Sequence, residues 1–272
     1  AEIKNYHNHI KPGRYKLSNR MSNNELINLL RSGEQVPVKL TFNNVRTMYE
    51  LAGIIGRKLE ADSTTIIKLL SDEAYTSTYG FTPEKIFTMF IPNTYEFFWN
   101  TSAKQFIDRM AREYRVFWTD ARKAKARSLG LTQSEISILA SIVQAEQSIR
   151  IDERARVAGL YINRLKKGMR LQSDPTIIYA IGDFTIKRVL DADRNIDSPY
   201  NTYKKSGLPP GPICLPEISS IKAVLNYEKH DYIYMCAKED FSGYHNFSKT
   251  NRQHNIYAAR YRRELNKRKI YR

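Results

Sequence analysis

Residues 132–146 combine a helix start signal with an apolar stripe that ends in a carboxylate. Thr132 and Glu135 have the spacing of a capping box, in which both side chains bond free backbone N–H groups at a helix start. Glu146 shares a helical face with the apolar side chains of Leu139, Ile142 and Val143, flanked by Ile136 and Ala140. The pattern predicts a helix that brings one glutamate against apolar side chains.

This position predicts the chemistry of the Glu146 carboxyl group. Burial disfavours the charged form of a carboxyl, so we expect the pKa of Glu146 to lie above its ordinary value. A raised pKa lets a general acid hold its proton near neutral pH. The spacing leaves a second interpretation open, in which the side chain turns to water or pairs with Arg150 or Arg154.

A second helix and a short polar turn follow this glutamate. Asp152 is a candidate N-cap, and Glu153 lies at the positive end of the helix dipole. We expect the helix to end at Gly168. Its inward stripe is Val157, Leu160, Tyr161, Arg164 and Leu165. Asp174 and Pro175 then predict a short helix with Asp174 as its N-cap, because proline is favoured in a first helical turn.

The net charge of the chain is +16, in an otherwise ordinary composition with 42% hydrophobic residues. So basic a surface predicts a polyanionic neighbour: nucleic acid, anionic lipid or an acidic cell-wall polymer. No apolar run approaches the ~20 residues of a membrane span, and the start from Ala1 to Lys4 lacks both an initiator Met and the apolar core of a leader. Cys214 and Cys236 form either one disulfide or, as we expect, two buried thiols.

The order of patterns along the chain predicts an α+β protein with a small first domain, residues 1–80, and a larger mixed domain, residues 81–272. The elements expected in the first are a Pro-Gly turn that leads into a short strand within 11–17, a strand over 36–42, and helices over 25–31, 48–59 and after Asp62. The elements expected in the second are a turn over 91–95, a long basic helix over 103–128, an exposed Pro/Gly loop over 195–213, a hairpin of strands 231–237 and 244–247, and a final helix capped by Thr250.

Several classes of site are excluded because their motifs are missing. The sequence has no Walker A loop, no Rossmann glycine fingerprint and no Gly-x-Ser-x-Gly elbow, and its five histidines form no zinc motif. We therefore predict neither a metal nor a cofactor. Ordinary glycosidases use two carboxylates, but Asp152, Glu153 and Asp174 are better explained as helix caps and a helix-start charge. A single buried glutamate predicts a reaction that needs one acid/base group.

A set of motifs covers most of the chain. They are Ala140-Ser141-Ile142-Val143 with Glu146, Glu153-Arg154, Val157-Ala158, Tyr161-Ile162-Asn163-Arg164-Leu165, Gly168-Met169, Leu171-Gln172-Ser173-Asp174-Pro175-Thr176, Tyr179, Tyr200-Asn201-Thr202-Tyr203, Gly207-Leu208-Pro209-Pro210-Gly211-Pro212-Ile213, His245 with Phe247, Lys11-Pro12-Gly13 with Tyr15, and Ile91-Pro92-Asn93-Thr94-Tyr95. In these motifs the chain resembles the endolytic murein transglycosylases, the YceG-like lytic transglycosylases.

Three positions depart from the usual pattern of that family. Members usually carry a Glu-x-Glu-Thr run, whereas this chain has Gln144 in place of the first glutamate and Gln147 in place of the threonine. The aspartate of an upstream Pro-Asp-Thr-Tyr is Asn93 here. The helical-face argument selects Glu146 independently of the resemblance, so we assign the catalytic role of the family to Glu146.

The resemblance implies cleavage of the β-1,4 bond between N-acetylmuramic acid and N-acetylglucosamine in peptidoglycan. Glu146 would protonate the bridging oxygen and then, as a base, take the proton of the muramic acid C6 hydroxyl, which closes on C1 to give a 1,6-anhydro sugar. One glutamate serves as acid and base, without metal or cofactor. The residues expected to bind substrate are Gln172, Ser173, Asp174, Tyr179, Tyr200, Asn201, Thr202, Tyr203, Arg164 and His245.

The resemblance also implies an architecture and a location. Residues 1–80 are expected to form a LysM-like glycan-binding module, and residues 81–272 the YceG-like catalytic domain. A single amino-terminal membrane helix normally precedes that module. The catalytic part is therefore expected in the periplasm, outside the cytoplasm, attached to the inner membrane by an anchor that this chain lacks. The expected partners are peptidoglycan strands and peptidoglycan synthases, not nucleic acid.

Two other classes of function are consistent with parts of the sequence. Gln144, standing where the family has a carboxylate, favours a peptidoglycan-binding or scaffolding protein without turnover. The positive charge and the 18 tyrosines favour nucleic-acid binding, which predicts a steep loss of affinity with salt. No recognition-helix or RNP-like motif supports nucleic-acid binding.

Overall fold

The computed structural model describes residues 6–186 and 188–268 of the chain. Helices and short strands occur together in these residues, so the predicted α+β class is confirmed. The start from Ala1 to Lys4 and the end of the predicted final helix, residues 269–272, lie outside the described residues.

The chain divides into two compact units. The first consists of Ala1–Pro83 and Pro92–Glu113, and the second consists of Glu84–Ile91 and Tyr114–Arg272. That residues 1–80 form a LysM-like module and residues 81–272 a catalytic domain stays a prediction.

The described part of the first unit contains two antiparallel strands, β1 (Val38–Phe42) and β2 (Asn93–Phe97), aligned so that Leu40 faces Tyr95. Burial alternates along β1, as expected of a strand with one covered face. The helices of this unit are α1 (Asn23–Ser32), α2 (Met48–Gly56), α3 (Ser63–Ser71), α4 (Glu73–Ser77) and most of α5 (Ala103–Phe117), with a 3₁₀ turn at Tyr6–Asn8.

Polar side chains determine where the first three helices begin. Ser22 caps α1 in a capping box with Glu25, and Gly33 ends this helix in the left-handed conformation, with φ of 75°. Thr47 and Asp62 cap α2 and α3 through hydrogen bonds from backbone N–H groups. The predicted starts of α2 and α3 are confirmed, whereas α1 begins two residues before the predicted start at Glu25.

Two other predictions in this unit are wrong. Residues 11–17 form no strand. Among the described residues, their backbone makes one hydrogen bond to the segment before β1, from the Val36 N–H to the Arg14 carbonyl (2.8 Å), and one bond does not make a ladder. The turn predicted over 91–95 gives way to β2 at Asn93, because β1 offers a free edge on which this backbone pairs.

The long basic helix predicted over 103–128 is two helices, α5 and α6 (Asp120–Ser128). Trp118, between them, is fully buried. Thr119 starts α6 as its N-cap, with its hydroxyl accepting a hydrogen bond from the Arg122 backbone N–H (3.4 Å). The basic residues continue unchanged across the break, so the charge pattern gave no sign of it.

The second unit is built around α7 (Gln133–Glu146), whose predicted capping box between Thr132 and Glu135 is confirmed. The elements that follow are a 3₁₀ turn (Ile151–Glu153), α8 (Arg154–Lys166), α9 (Asp174–Ile181), a 3₁₀ turn (Asp193–Asn195), α10 (Ile218–Leu225), the predicted antiparallel hairpin of β3 (Tyr234–Ala237) and β4 (His245–Ser248), and α11 (Asn251–Lys267), capped by Thr250 as predicted; a 3₁₀ turn at Ile86–Met89 also belongs to this unit. Helices α8, α9 and α10 pack against α7, and α11 packs against both strands.

Helix α7 is enclosed on all sides. Every residue from Ile136 to Gln144 is buried, which exceeds the single apolar face that the sequence predicted. Its small polar residues are satisfied inside the core: the Ser141 hydroxyl donates to the Ile138 carbonyl (2.7 Å) and accepts from the Ile213 N–H (3.1 Å). The last turn of α7 is therefore fixed by a packed core.

Two predicted helix caps are wrong by one residue. A 3₁₀ turn precedes α8, so this helix starts after Glu153, and the Asp152 carboxylate instead accepts a hydrogen bond from the Tyr244 hydroxyl (2.9 Å). Helix α9 starts after Ser173, which places Asp174 inside its first turn rather than at its cap.

The Pro/Gly loop over 195–213, predicted to be exposed, is buried at its centre. Asn201 has no exposed surface, because its side-chain amide donates to the backbone carbonyls of Arg194 (2.9 Å) and Ile196 (2.7 Å). Thr202 is also buried. A loop tolerates burial where its backbone polar groups find such partners.

Three structural facts limit the kinds of site that the described residues contain. Cys214 and Cys236 are separate, half-buried thiols, as expected. None of the helices in 6–186 and 188–268 is long and apolar enough to cross a membrane. The same residues hold no group of three or more His, Cys, Asp or Glu side chains arranged for a metal ion.

Candidate active site

Glu146 is the last residue of α7, and its carboxylate is held from one side. The Tyr161 hydroxyl (2.7 Å) and the Ser173 hydroxyl (2.5 Å) both donate to Oε1. Within the described residues Oε2 accepts no hydrogen bond. Two neutral donors therefore fix the orientation of the carboxyl group and leave one oxygen for a ligand.

The pKa of Glu146 is raised, in the direction expected from the sequence. Burial is the largest cause, and the negative charge of Asp174 adds to it. The hydrogen bonds from Ser173 and Tyr161 oppose the rise, as would a positive charge on the His245 ring. The surroundings of Glu146 thus act on its pKa in opposite directions, and the contributions that raise the pKa are larger than those that lower it.

The larger of two cavities beside Glu146 has a volume of about 410 Å³. Its lining combines carboxylates, arginines and aromatic rings from α7, α8, the segment before α9, α9, the 3₁₀ turn Asp193–Asn195, the Pro/Gly loop, β3 and α11. The lining residues are Glu146, Leu160, Tyr161, Arg164, Leu171, Gln172, Asp174, Arg194, Tyr203, Tyr234, Met235, Asn251, His254 and Asn255. The lining offers both hydrogen-bonding groups and ring faces, as sugars require.

The smaller cavity, about 240 Å³, also reaches Glu146. Its lining comes from the end of α7, the β3–β4 hairpin and α11: Glu146, Gln147, Ser148, Ile149, Ala237, Lys238, Phe241, Gly243, Tyr244, His245 and Tyr261. We call these two spaces the larger and the smaller cavity. Glu146 is common to both.

Asp174 lies in the larger cavity as part of a polar group with two neighbours. The Tyr203 hydroxyl donates to its Oδ1 (2.5 Å), and the Arg194 guanidinium lies 3.5 Å from the same oxygen and 4.8 Å from the centre of the Tyr203 ring. Asp174 is therefore a neighbour of Glu146 with polar partners of its own.

Arg164 and Gln172 line the larger cavity but also brace its wall. The Arg164 guanidinium donates to the backbone carbonyls of Ile233 (2.7 Å) and Leu171 (2.8 Å). The Gln172 backbone has a φ of 52°, uncommon for a residue other than glycine. Its N–H is held by the Thr202 carbonyl (3.1 Å).

Five of the predicted substrate-binding residues line neither cavity. One is Ser173, which is fully buried and holds Glu146. Asn201 and Thr202 are buried and support the wall: the Thr202 hydroxyl accepts a hydrogen bond from the Ser173 N–H (3.0 Å). Tyr179 and Tyr200 pack against each other, with ring centres 4.7 Å apart. Tyr179 lies on α9 with Asp174, and Tyr200, Asn201 and Thr202 lie on the Pro/Gly loop beside Tyr203. A direct contact of these four residues with substrate stays a prediction.

Several lining residues were not predicted as site residues. Tyr161 was placed on the inward stripe of α8, and its hydroxyl contact with Glu146 required knowledge of how α7 and α8 pack. Arg194 had no signal in its own segment. The α11 residues Asn251, His254 and Asn255 reach the cavity through long-range packing, and the His254 ring stacks on Tyr234 at 5.4 Å.

Gln144, where the resembled family has an acid, does not line either cavity. It is buried, and its Oε1 accepts hydrogen bonds from the Glu217 N–H (2.6 Å) and the Ser220 hydroxyl (3.0 Å). Arg154 reaches the same hydroxyl (2.9 Å). Position 144 thus ties α7 to the start of α10, so this substitution gives no argument against turnover.

This role predicts how position 144 tolerates change. Gln144→Glu should alter the free energy of unfolding by less than about 1 kcal/mol, because a carboxylate accepts the same two hydrogen bonds near Arg154. Gln144→Leu should cost about 1–3 kcal/mol, because the Glu217 N–H loses its acceptor. Urea denaturation measures both values. Equal losses in the two variants would contradict the assigned hydrogen bonds.

Comparison with known proteins agrees with the motifs. The model of the YceG-like family matches residues 1–260. The chain is 38% identical over 162 residues to a Bacillus subtilis (strain 168) protein named endolytic murein transglycosylase, which covers 60% of this chain and 44% of that relative. It is 28% identical over 271 residues to a Streptococcus pneumoniae (strain ATCC BAA-255 / R6) protein of the same name, covering 87% of this chain and 48% of the relative.

The chain therefore spans about half the length of the curated relatives it matches. Its fold is similar to the crystal structure of a yceG-like protein from Listeria monocytogenes, with a TM-score of 0.70 and 29% identity over 94% of this chain and 86% of that one. Because the family model matches nearly the whole chain, and a solved relative has the same fold, the chain belongs to the YceG-like family.

Proposed function

We propose that the chain is the catalytic part of an endolytic murein transglycosylase. It would cleave the β-1,4 bond between N-acetylmuramic acid and N-acetylglucosamine and leave a 1,6-anhydro end. The observation that carries this proposal is Glu146: a carboxyl group with a raised pKa, one oxygen held by Tyr161 and Ser173, and the other open to two cavities. The printed names of the relatives support the same substrate.

The reaction begins with Glu146 protonated. The carboxyl donates its proton to the bridging oxygen as the C1–O bond breaks, and the electron pair of that bond goes to the leaving N-acetylglucosamine. The carboxylate then takes the proton of the muramic acid C6 hydroxyl, whose oxygen bonds to C1. Glu146 recovers its proton, so neither water nor a second carboxylate is consumed.

The surroundings of Asp174 support a mechanism with a single carboxylate. A second catalytic carboxylate would have to be free to attack or to activate water. Asp174, the carboxylate that acts on Glu146 electrostatically, instead accepts a hydrogen bond from Tyr203 and pairs with Arg194. Its negative charge favours the protonated form of Glu146, which is the form that starts the reaction.

Two cavities that share Glu146 support cleavage inside a strand. A catalytic group between two binding spaces lets the glycan continue in both directions, whereas a closed end would restrict cutting to a terminus. We assign Gln172, Asp174, Tyr203 and Arg164 to sugar binding in the larger cavity, and His245 to the smaller. We assign Tyr179, Tyr200, Asn201 and Thr202 to supporting the wall of the larger cavity, with Ser173 orienting Glu146.

The remaining expectations from the resemblance are part of the same proposal. The first unit would bind glycan as a LysM-like module, and it holds a groove of about 900 Å³ lined in part by the exposed ring of Phe98 and by Arg109 and Arg112. Action on peptidoglycan requires a location outside the cytoplasm. Anchoring in the inner membrane and contact with peptidoglycan synthases stay predictions.

The pH dependence of cleavage tests the proposed role of Glu146. The acid form must start the reaction, so the rate should fall on the alkaline side as Glu146 loses its proton. Ser173→Ala removes a hydrogen bond that lowers the pKa of Glu146, so this alkaline limb should move to higher pH. Asp174→Asn removes a charge that raises the pKa, so the limb should move to lower pH.

The rates are measured on purified glycan strands across a pH series, with strand length followed by chromatography. Asp231→Asn, which removes an exposed carboxylate paired with Lys249, is the matched control and should leave the limb in place. Shifts in the same direction for Ser173→Ala and Asp174→Asn would contradict Glu146 as the acid. Early accumulation of disaccharide without shortening of the remaining strands would contradict internal cleavage.

A further inference from the structure

A second buried carboxylate contacts the residue after Glu146 and has no part in the reaction described above. Glu153, at the start of α8, has only 5% of its surface exposed. It contacts His245 on β4 and Gln147, the residue after Glu146. The contacts of Glu153 thus join the end of α7, the start of α8 and the hairpin at the smaller cavity.

Both Glu153 oxygens accept hydrogen bonds. Oε1 accepts from the backbone N–H of His245 (3.0 Å), and Oε2 accepts from the His245 ring at Nδ1 (2.7 Å) and from the Gln147 amide (2.5 Å). The Gln147 amide also donates to the Gly243 carbonyl (3.1 Å). Glu153 therefore binds both the backbone and the ring of His245.

Counting hydrogens fixes the tautomer of His245. The Gln147 amide has two hydrogens, and the Glu153 and Gly243 oxygens accept them. The approach of this amide nitrogen to Nδ1 (3.2 Å) therefore supplies no proton to the ring. Burial acts to raise the pKa of Glu153, but the hydrogen bonds from His245 and Gln147 outweigh it and lower the pKa, so Glu153 is an ionised acceptor. Nδ1 must carry the hydrogen.

A neutral imidazole with its hydrogen on Nδ1 has an acceptor at Nε2. Among the described residues, Nε2 of His245 has no hydrogen-bond partner, and His245 lines the smaller cavity with Glu146. The charged and titratable groups around this cavity are Glu146, Lys238, Tyr244 and Tyr261, and the Tyr244 hydroxyl is bonded to Asp152. In its neutral form His245 thus offers an acceptor in a cavity where Lys238 offers a donor.

We propose that Glu153 and Gln147 hold His245 in the Nδ1–H tautomer so that Nε2 accepts a hydrogen bond from a sugar hydroxyl in the smaller cavity. His245 is then a substrate-binding residue, and Glu153 is a positioning residue that acts through it. The identity of the ligand as a sugar rests on the proposed function. The arrangement of Glu153, Gln147 and His245 is independent of that proposal.

One substitution separates this role from a structural tie between β4 and α8. In His245→Asn, the side-chain amide can replace Nδ1–H as the donor to Glu153, but nothing replaces Nε2. A role limited to holding the hairpin would survive this change. A role in binding sugar would not.

The test uses Glu146→Gln as the parent protein, which binds without turnover, and a tetrasaccharide of alternating N-acetylglucosamine and N-acetylmuramic acid. The ¹⁵N chemical shifts of the His245 ring should report hydrogen on Nδ1 in the parent and a mixture of tautomers after Glu153→Gln. Calorimetry should give roughly fivefold to tenfold weaker binding for His245→Asn and for Glu153→Gln, as loss of one hydrogen bond predicts. Glu228→Gln, in an exposed pair with Arg156, should change neither readout.

A parent ring protonated on Nε2 would overturn the inference, as would unchanged affinity in a folded His245→Asn variant or a parent that binds no tetrasaccharide. The proposed reaction fails separately. If the wild-type protein cleaves no strand while the two variants lose affinity as expected, the reaction is wrong and the role of His245 stands.

Discussion

Glu146→Gln is expected to lower the rate of glycan cleavage by roughly 10³-fold, because it removes the group that both donates and accepts the proton. The amide keeps the size of the side chain and can still accept hydrogen bonds from Tyr161 and Ser173. The loss should therefore appear in turnover rather than in folding. Release of soluble fragments from peptidoglycan, measured under single-turnover conditions, gives the rate.

Glu135→Gln is the matched control on the same helix, because a capping box accepts glutamine in place of glutamate. It should cleave within a few-fold of the wild type. Stability supplies a second readout. Since folding raises the pKa of Glu146, the folded state loses stability as pH rises toward that pKa, and Glu146→Gln should be the more stable protein at alkaline pH. Comparable cleavage by Glu146→Gln and the wild type would remove Glu146 from its role.

Arg154→Ala is expected to lower the free energy of unfolding by about 3 kcal/mol, because it removes one partner of a buried ion pair. The Arg154 side chain is only 3% exposed. Its Nη1 lies 2.7 Å from the Glu217 carboxylate, and its Nε donates to the Gln147 carbonyl (2.9 Å). Removal would leave Glu217 half-buried without a cation and would free the chain just after Glu146.

Arg156→Ala, two residues along the same helix, is the control for this prediction. Arg156 pairs with Glu228, and both side chains are nearly half exposed, so its loss should change the free energy of unfolding by less than about 1 kcal/mol. Urea denaturation monitored by circular dichroism measures both variants. Equal effects in the two would show that the Arg154 network contributes no more than a surface pair.

The parts of this site that the sequence predicted depend on local signals. Thr132 and Glu135 start α7, and the spacing of apolar residues brings Glu146 to its end. These features need only the helical repeat and the chemistry of free N–H groups. The same reasoning predicted the cap at Thr250, which bonds a backbone N–H within its own helix.

What the sequence did not predict depends on contacts between distant segments. The role of Gln144 depends on where α10 begins, and the tautomer of His245 depends on Glu153, far away in sequence. The burial of Asn201 reversed a prediction made from Pro and Gly content, because its amide satisfies two backbone carbonyls inside the loop. Such roles become visible only when the packed structure shows which polar groups meet.

The central claim is that Glu146 works alone and that the substrate supplies its own nucleophile. Digestion of purified glycan strands in ¹⁸O-labelled water, with the new ends read by mass spectrometry, tests this directly. The account predicts 1,6-anhydro-muramic ends that carry no label, because the C6 oxygen of the sugar closes on C1. Reducing ends that carry ¹⁸O would contradict it, since they would show that water attacks C1.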